Sequence, residues 1–436
     1  MATNMSSKVA LFEETPIPKA VAQLSIPIVI GSLVMIFYNL ADTFFVGMLN
    51  DPIQNAGVTL ASPVLLAFNA VTNLFGVGSS SLMSRSLGVK DYETAKKTSA
   101  LAFWCAFIAA ALFSIAYTIF KAPLLIMLGS TDTTMQATED YMFWTVTCGA
   151  IPAIVNMVMS YMVRSEGNSL HASIGSMSGC ILNIILDPIF ILPWGFNMGA
   201  AGAGCATFIS NMFAFGYYLV LNYIKRKSTI VCINPKMISF DKRILGGIFA
   251  IGIPACIQNL LNVVGSTILN NKMAIYGSDP VAAMGIVQKI NMIPMMISLG
   301  ISQGIMPLIS YNYASRNIKR MKESFSFTVK ISMIFIGAMV GIYYIGAGGI
   351  VNAFMKNAEV VAIGTRLLRG FCLGLPFLVF DFVSVGVFQA IGMGKNALMF
   401  ALARKLVLEI PAIFILDMLF PLYGLAYSQL IAEFVL

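Results

Sequence analysis

Six acidic side chains lie inside long apolar runs of this 436-residue chain: Asp42, Asp187, Asp381, Glu409, Asp417 and Glu433. A carboxylate carried into hydrocarbon is costly enough that a function is its default explanation. Spacing groups three polar residues. Asp42 stands eight residues before Asn50-Asp51, Asp187 eight before Gly195, and Thr207 eight after Gly199. At 1.5 Å per helical residue, each lies about 12 Å below the same membrane surface. Asn183 precedes Asp187 by four and therefore shares its helix face, one turn deeper. Two carboxylates, a carboxamide and a hydroxyl form a hard, all-oxygen set. It suits Na⁺, or a proton held on one of two carboxylates that cannot both ionise cheaply. The competing reading is an interhelical hydrogen-bond knot that only holds the bundle together.

The second half of the chain does not repeat this set: position 42 corresponds to about Asn270, and position 187 to Glu409 or Ile410. Asp381 could form a second protonation site, or pair with Arg369 or a nearby Lys. Glu409 follows Lys405 by four residues, a helical spacing for an ion pair. Lys289 is either a counter-ion for one of these acids or a snorkelling residue near the surface. The seven Cys contain no CxxC pair, and all but Cys232 fall in apolar runs, so they read as small buried residues. His171 is the single histidine, which leaves no cluster for zinc or haem and no metalloenzyme chemistry. Gly76-Val77-Gly78 and Gly199–Gly204 sit in hydrocarbon with no P-loop Lys after them. They serve helix packing and not nucleotide binding. No cofactor is expected.

These residues need long apolar helices to hold them, and the composition provides little else. Hydrophobic residues make up 58% of the chain and charged ones 11%, with 28 Met and 31 Phe. Mean hydropathy is +0.84. That much apolar surface must face lipid, which excludes a water-soluble fold. Apolar runs fall at 20–49, 53–83, 98–120, 138–163, 170–192, 199–224, 244–275, 281–311, 326–347, 358–388, 397–420 and 423–436. Twelve spanning helices are expected, the last too short to cross, as if the chain stopped inside it, before its natural end. Of the 27 Lys and Arg, 21 collect at alternate connections, among them Lys8, Lys90, Arg226, Arg316 and Lys395, with Arg404 and Lys405 counted there too. The net charge of +8 therefore encodes topology, with both termini cytoplasmic, and not nucleic-acid binding. No cleavable signal peptide is evident before the first helix.

The two halves resemble each other. Leu24-Ser25-Ile26-Pro27 is echoed by Ile251-Gly252-Ile253-Pro254, and Asp51-Pro52 by Asp279-Pro280, at offsets of 227 and 228. A six-plus-six duplication follows, with an amino-terminal lobe 1–224, a cytoplasmic linker 225–243 and a carboxy-terminal lobe 244–436. Prolines such as Pro27 inside spanning helices supply bends.

Three stretches make the resemblance specific: Tyr38-Asn39-Leu40-Ala41-Asp42-Thr43-Phe44-Phe45-Val46-Gly47, Asn183-Ile184-Ile185-Leu186-Asp187-Pro188, and Gly300-Ile301-Ser302-Gln303-Gly304 through Pro307 to Tyr311-Asn312-Tyr313. Together they resemble the multidrug and toxic compound extrusion (MATE) family, in its DinF-like and MepA-like prokaryotic branch. The resemblance implies an all-α membrane protein with two pseudo-symmetric six-helix lobes around a V-shaped cavity. It implies alternating-access export of organic, mainly cationic, amphipathic compounds in exchange for H⁺ or Na⁺. Matched by motif, Asp42, Asn183, Asp187 and Thr207 correspond to the amino-terminal cation site, and Pro27 to the proline at which the first helix bends. The expected setting is the cell membrane, multi-pass, as a monomer with small organic substrates and lipid as partners and neither nucleotide nor nucleic acid. The alternative within transport is a lipid-linked oligosaccharide flippase of the same superfamily, which an anionic head group would steer towards a basic cavity. An integral membrane enzyme finds no cluster of His, Ser and acid at a membrane face.

Overall fold

In a computed structural model describing residues 10–436, all regular structure among the described residues is helical. Lys8 lies outside them. The first half contains α1 (Ile17–Gly47), α2 (Ser62–Gly88, after a lead-in helix Pro52–Leu60), α3 (Tyr92–Met127), α4 (Met135–Cys148 then Ala150–Ser165), α5 (Ser169–Ile191) and α6 (Ala200–Ile224). The second contains α7 (Lys242–Ala274), α8 (Ser278–Ala314), α9 (Ile318–Phe354) and α10 (Ala358–Cys372 then Leu375–Ala390). α11 runs from Gly394–Leu402 through a π-helical stretch, Ala403–Glu409, to Ile410–Leu419, and α12 is Ser428–Val435. Eight helices are individually long and apolar enough to cross a bilayer, and the two bent pairs bring the spans to ten.

Helices outrun the apolar stretches that announce them. α9 has 37 residues, whereas its apolar run is 326–347. Its polar first turns extend beyond hydrocarbon, where Asn317 caps them by accepting from the Arg320 amide at 3.2 Å. Asp91 caps α3 in the same way, through the Thr94 amide at 3.0 Å. That bond holds the Asp91 carboxyl below the usual carboxylate range. The residues before these caps also match: Lys90 (φ 63°) and Arg316 (φ 61°) both turn the chain through the left-handed region. Bends recur as well, at 51° in α4 and 45° in α10.

The halves meet along α1 with α8 and α2 with α7. Apart from Leu74 at the middle of α2, the residues in the close approaches named next lie in the part of the helices nearest the Lys- and Arg-rich turns, hereafter the basic face. Gly252 of α7 lies against α2 so tightly that a Cβ there would sit 2.0 Å from the Leu74 carbonyl oxygen. Only glycine permits that crossing. Polar bonds reinforce it. Buried Arg164 of α4 donates to Gln303 of α8 at 2.6 Å, and Ser81 of α2 donates to the Gln389 carbonyl of α10 at 2.5 Å. The segment before α1 is stitched across the same face. Phe12 stacks on Tyr311 with centroids 4.9 Å apart, and the Phe12 carbonyl accepts from Arg320 at 2.6 Å.

Candidate functional site

Asp42 occupies the half of α1 far from the basic face, and one of its carboxylate oxygens is buried without a hydrogen-bond partner. Asp187, on α5, is fully buried and lies within electrostatic range of Asp42. Asn183, one turn along the same helix, is also buried. With its amide turned so that both ends are satisfied, the nitrogen donates to Asp187 at 2.8 Å and the oxygen accepts from the Thr207 amide of α6 at 3.1 Å. The structure therefore bonds Asn183 and Asp187 of α5 with Thr207 of α6, and sets Asp42 of α1 within electrostatic range of Asp187. Pro188, directly after Asp187, has no N–H to give to the Ile184 carbonyl, which loosens α5 beside the acid.

Two tyrosines join the set. Tyr38 precedes Asp42 by four residues on the same face of α1 and lies within electrostatic range of Asp42 and Asp187. Its helical spacing was a readable signal. Tyr141 of α4 is buried and also lies within electrostatic range of Asp42, Asp187 and Tyr38. No local pattern points to it. It reaches the site because α6 presses on α4 at Gly204, where a Cβ would lie 2.7 Å from the Tyr141 carbonyl oxygen. Immediately after it, α4 turns π-helical over Phe143–Cys148, a register shift common beside functional groups.

The chemistry open to this cluster follows from its donors. An orphaned carboxylate oxygen beside a second buried carboxylate needs a positive partner, whether a proton, a monovalent hard cation or a cationic substrate group. Among the described residues there is no group of three or more His, Cys, Asp or Glu placed to hold a metal ion, so the neutral oxygens of Asn183 and Thr207 would have to complete any Na⁺ shell.

Asp381 is elsewhere, deep in the second half. Its partner is Arg404 at 3.0 Å, not Arg369, which donates instead to the Tyr344 carbonyl at 3.0 Å. Arg404 and Lys405 therefore do not belong with the basic turns. Arg404 is 2% exposed, about 15 Å along α11 from Gly394, and also binds Glu433 at 2.8 Å and Asn262 at 3.0 Å. Their positive charge misled the topological count because three buried acids hold them inside. Lys405 pairs with Glu409 at 2.6 Å, as their spacing predicts. Asp417 is bound by Lys272 at 3.1 Å and by Tyr276. Lys289 makes no ion pair among the described residues. The cysteines are free.

Comparison with known proteins places this architecture. The multidrug export protein MepA of Staphylococcus aureus (strain MSSA476) is 32% identical over 424 residues, 97% of this chain and 92% of the relative. MepA of Staphylococcus haemolyticus matches at the same identity and coverage. The solved outward-facing conformation of a multidrug resistance MATE family transporter of the MOP superfamily superposes with a TM-score of 0.92 at 26% identity, covering 98% of this chain and 94% of that one. The MatE family model matches residues 27–189 and 254–415, one segment in each half. This chain, an all-helical membrane protein of two lobes, therefore belongs to the MATE family of multidrug transporters.

Proposed function

We propose that the protein is a cation-coupled antiporter that exports organic, mainly cationic, amphipathic compounds across the cell membrane in exchange for H⁺ or Na⁺. The observation that carries this reading is the fully buried Asp187 with the half-buried Asp42 near it, one Asp42 oxygen being buried and left unpartnered. Among the described residues no Lys or Arg pairs with either acid, whereas Asp381 faces Arg404 at 3.0 Å, and a coupling site must hold a charge that comes and goes. The ion and the cationic substrate compete for the same negative charge, so each favours the lobe arrangement that the other does not. Pro27, inside α1 on the same helix as Asp42, gives a place for that helix to bend as the site loads. With the basic face cytoplasmic, the tight α1–α8 and α2–α7 crossings close the inner side and support an outward-facing state. The N-terminus is then cytoplasmic, and one chain suffices, without a cofactor or nucleotide.

The test is dye efflux from proteoliposomes under an imposed ΔpH alone and then under a Na⁺ gradient alone. Export driven by either gradient supports the reading. Dye movement that follows only its own gradient, with neither ion, rejects it.

A further inference from the structure

A small apolar cavity opens between α1, α8 and α9, on the side away from the basic face. Ile36 and Leu40 of α1, Ile293 of α8, and Tyr343 and Phe354 of α9 line it, and Lys289 is its one charged side chain. Lys289 is exposed and makes no ion pair among the described residues. α9 does not contribute to the coupling cluster, so this is a separate feature.

Depth narrows its use. α8 has 37 residues and is about 55 Å long, so a hydrocarbon layer of about 30 Å leaves about 12 Å of helix beyond each boundary. Lys289 lies eleven residues from Ser278, about 16 Å from that end and so only about 4 Å inside the apolar layer. Its four-carbon stem reaches the level of lipid phosphates. Lys356, two residues along the chain from the lining Phe354, is a second exposed cation. An apolar slot with a cation at phosphate depth matches one kind of molecule.

We propose that this cavity is a site for an anionic phospholipid of the leaflet opposite the basic face, its acyl chain against Ile36, Ile293 and Phe354 and its phosphate on Lys289. Apolar burial alone would take any lipid tail, and the unpaired ammonium makes the site prefer a net negative head group.

The test uses the full chain in detergent, with Phe354→Trp as a local reporter and phosphatidylglycerol brominated on its acyl chain as quencher. Subtraction of the same measurement on the chain without that substitution removes the three native Trp. Brominated phosphatidylglycerol is expected to quench the reporter at concentrations at least about fivefold lower than brominated phosphatidylcholine. Lys289→Gln should erase that preference and Lys289→Arg should keep it. Equal quenching by the two lipids in the wild-type background, or an unchanged preference in Lys289→Gln, overturns the proposal. So does displacement of the brominated lipid by millimolar inorganic phosphate, since a free anion would then be the ligand. Should Lys289→Gln fail to elute as a single species, Lys289→Met replaces it with the same expected outcome.

Discussion

Arg404→Gln gives a demanding test of the second lobe. Arg404 contacts Asp381 at 3.0 Å, Glu433 at 2.8 Å and Asn262 at 3.0 Å. Glu409 and Lys405 complete the cluster, so three acids face two bases and the formal charge is −1. Glutamine can still meet Asn262 but leaves three acids against one base. Removing one partner of a buried ionic group costs about 3–5 kcal/mol, because the rest stay desolvated and uncompensated. At about 1.4 kcal/mol per tenfold, folding should weaken roughly a hundredfold to a few thousandfold. For a chain of this size that is a fall of about 3–10 °C in melting temperature, smaller per kcal/mol than in domains of 150–250 residues. Thermal unfolding in detergent, followed by size-exclusion chromatography, reads it. The double variant Arg404→Gln, Asp381→Asn restores the formal charge of −1 and should recover more than half of the loss. An Arg404→Gln protein melting within about 1 °C of wild type, or a double variant showing merely the added losses of both singles, would refute the reasoning.

Asp42→Asn keeps size and loses charge, so efflux from whole cells should vanish at unchanged membrane expression; retained efflux would remove Asp42 from the coupling site. Asp187→Asn should impair dye efflux more than Asp381→Asn, since Asp381 is paired with Arg404 whereas Asp187 has no basic partner among the described residues; the opposite ranking would move coupling to the second lobe. Protons and a cationic dye compete for the carboxylates, so protonation at low pH should expel the dye. Fluorescence polarisation in Na⁺-free detergent should give tighter binding near about pH 8 than near about pH 6, lost in the Asp42→Asn, Asp187→Asn protein. A flat profile, with affinity that falls as Na⁺ is added, would favour Na⁺. Gly252→Val puts a branched side chain where even a Cβ would sit 2.0 Å from the Leu74 oxygen. It should destabilise the closed basic face, read as faster labelling by a membrane-impermeant maleimide of a cysteine introduced at position 85 in inside-out vesicles.

Some of this protein was legible in its residues alone. Composition required a helical membrane protein, because an unpaired backbone cannot face lipid. The offsets of 227 and 228 announced two repeats, and helical spacing placed Asn183 beside Asp187 and Lys405 beside Glu409. Equal depth predicted that Asp42, Asp187 and Thr207 could meet, since depth in a membrane is counted along the chain. Which residues at a given depth face one another is not. Tyr141 joins the site through the α4–α6 crossing at Gly204 and the π-helical stretch that follows it, neither of which has a local pattern. Arg404 read as a surface charge because its compensation comes from Asp381 and Glu433, 23 and 29 residues away on other helices. A charge in sequence is counted singly, whereas its solvation is a property of every helix packed around it, and only the tertiary structure decides that.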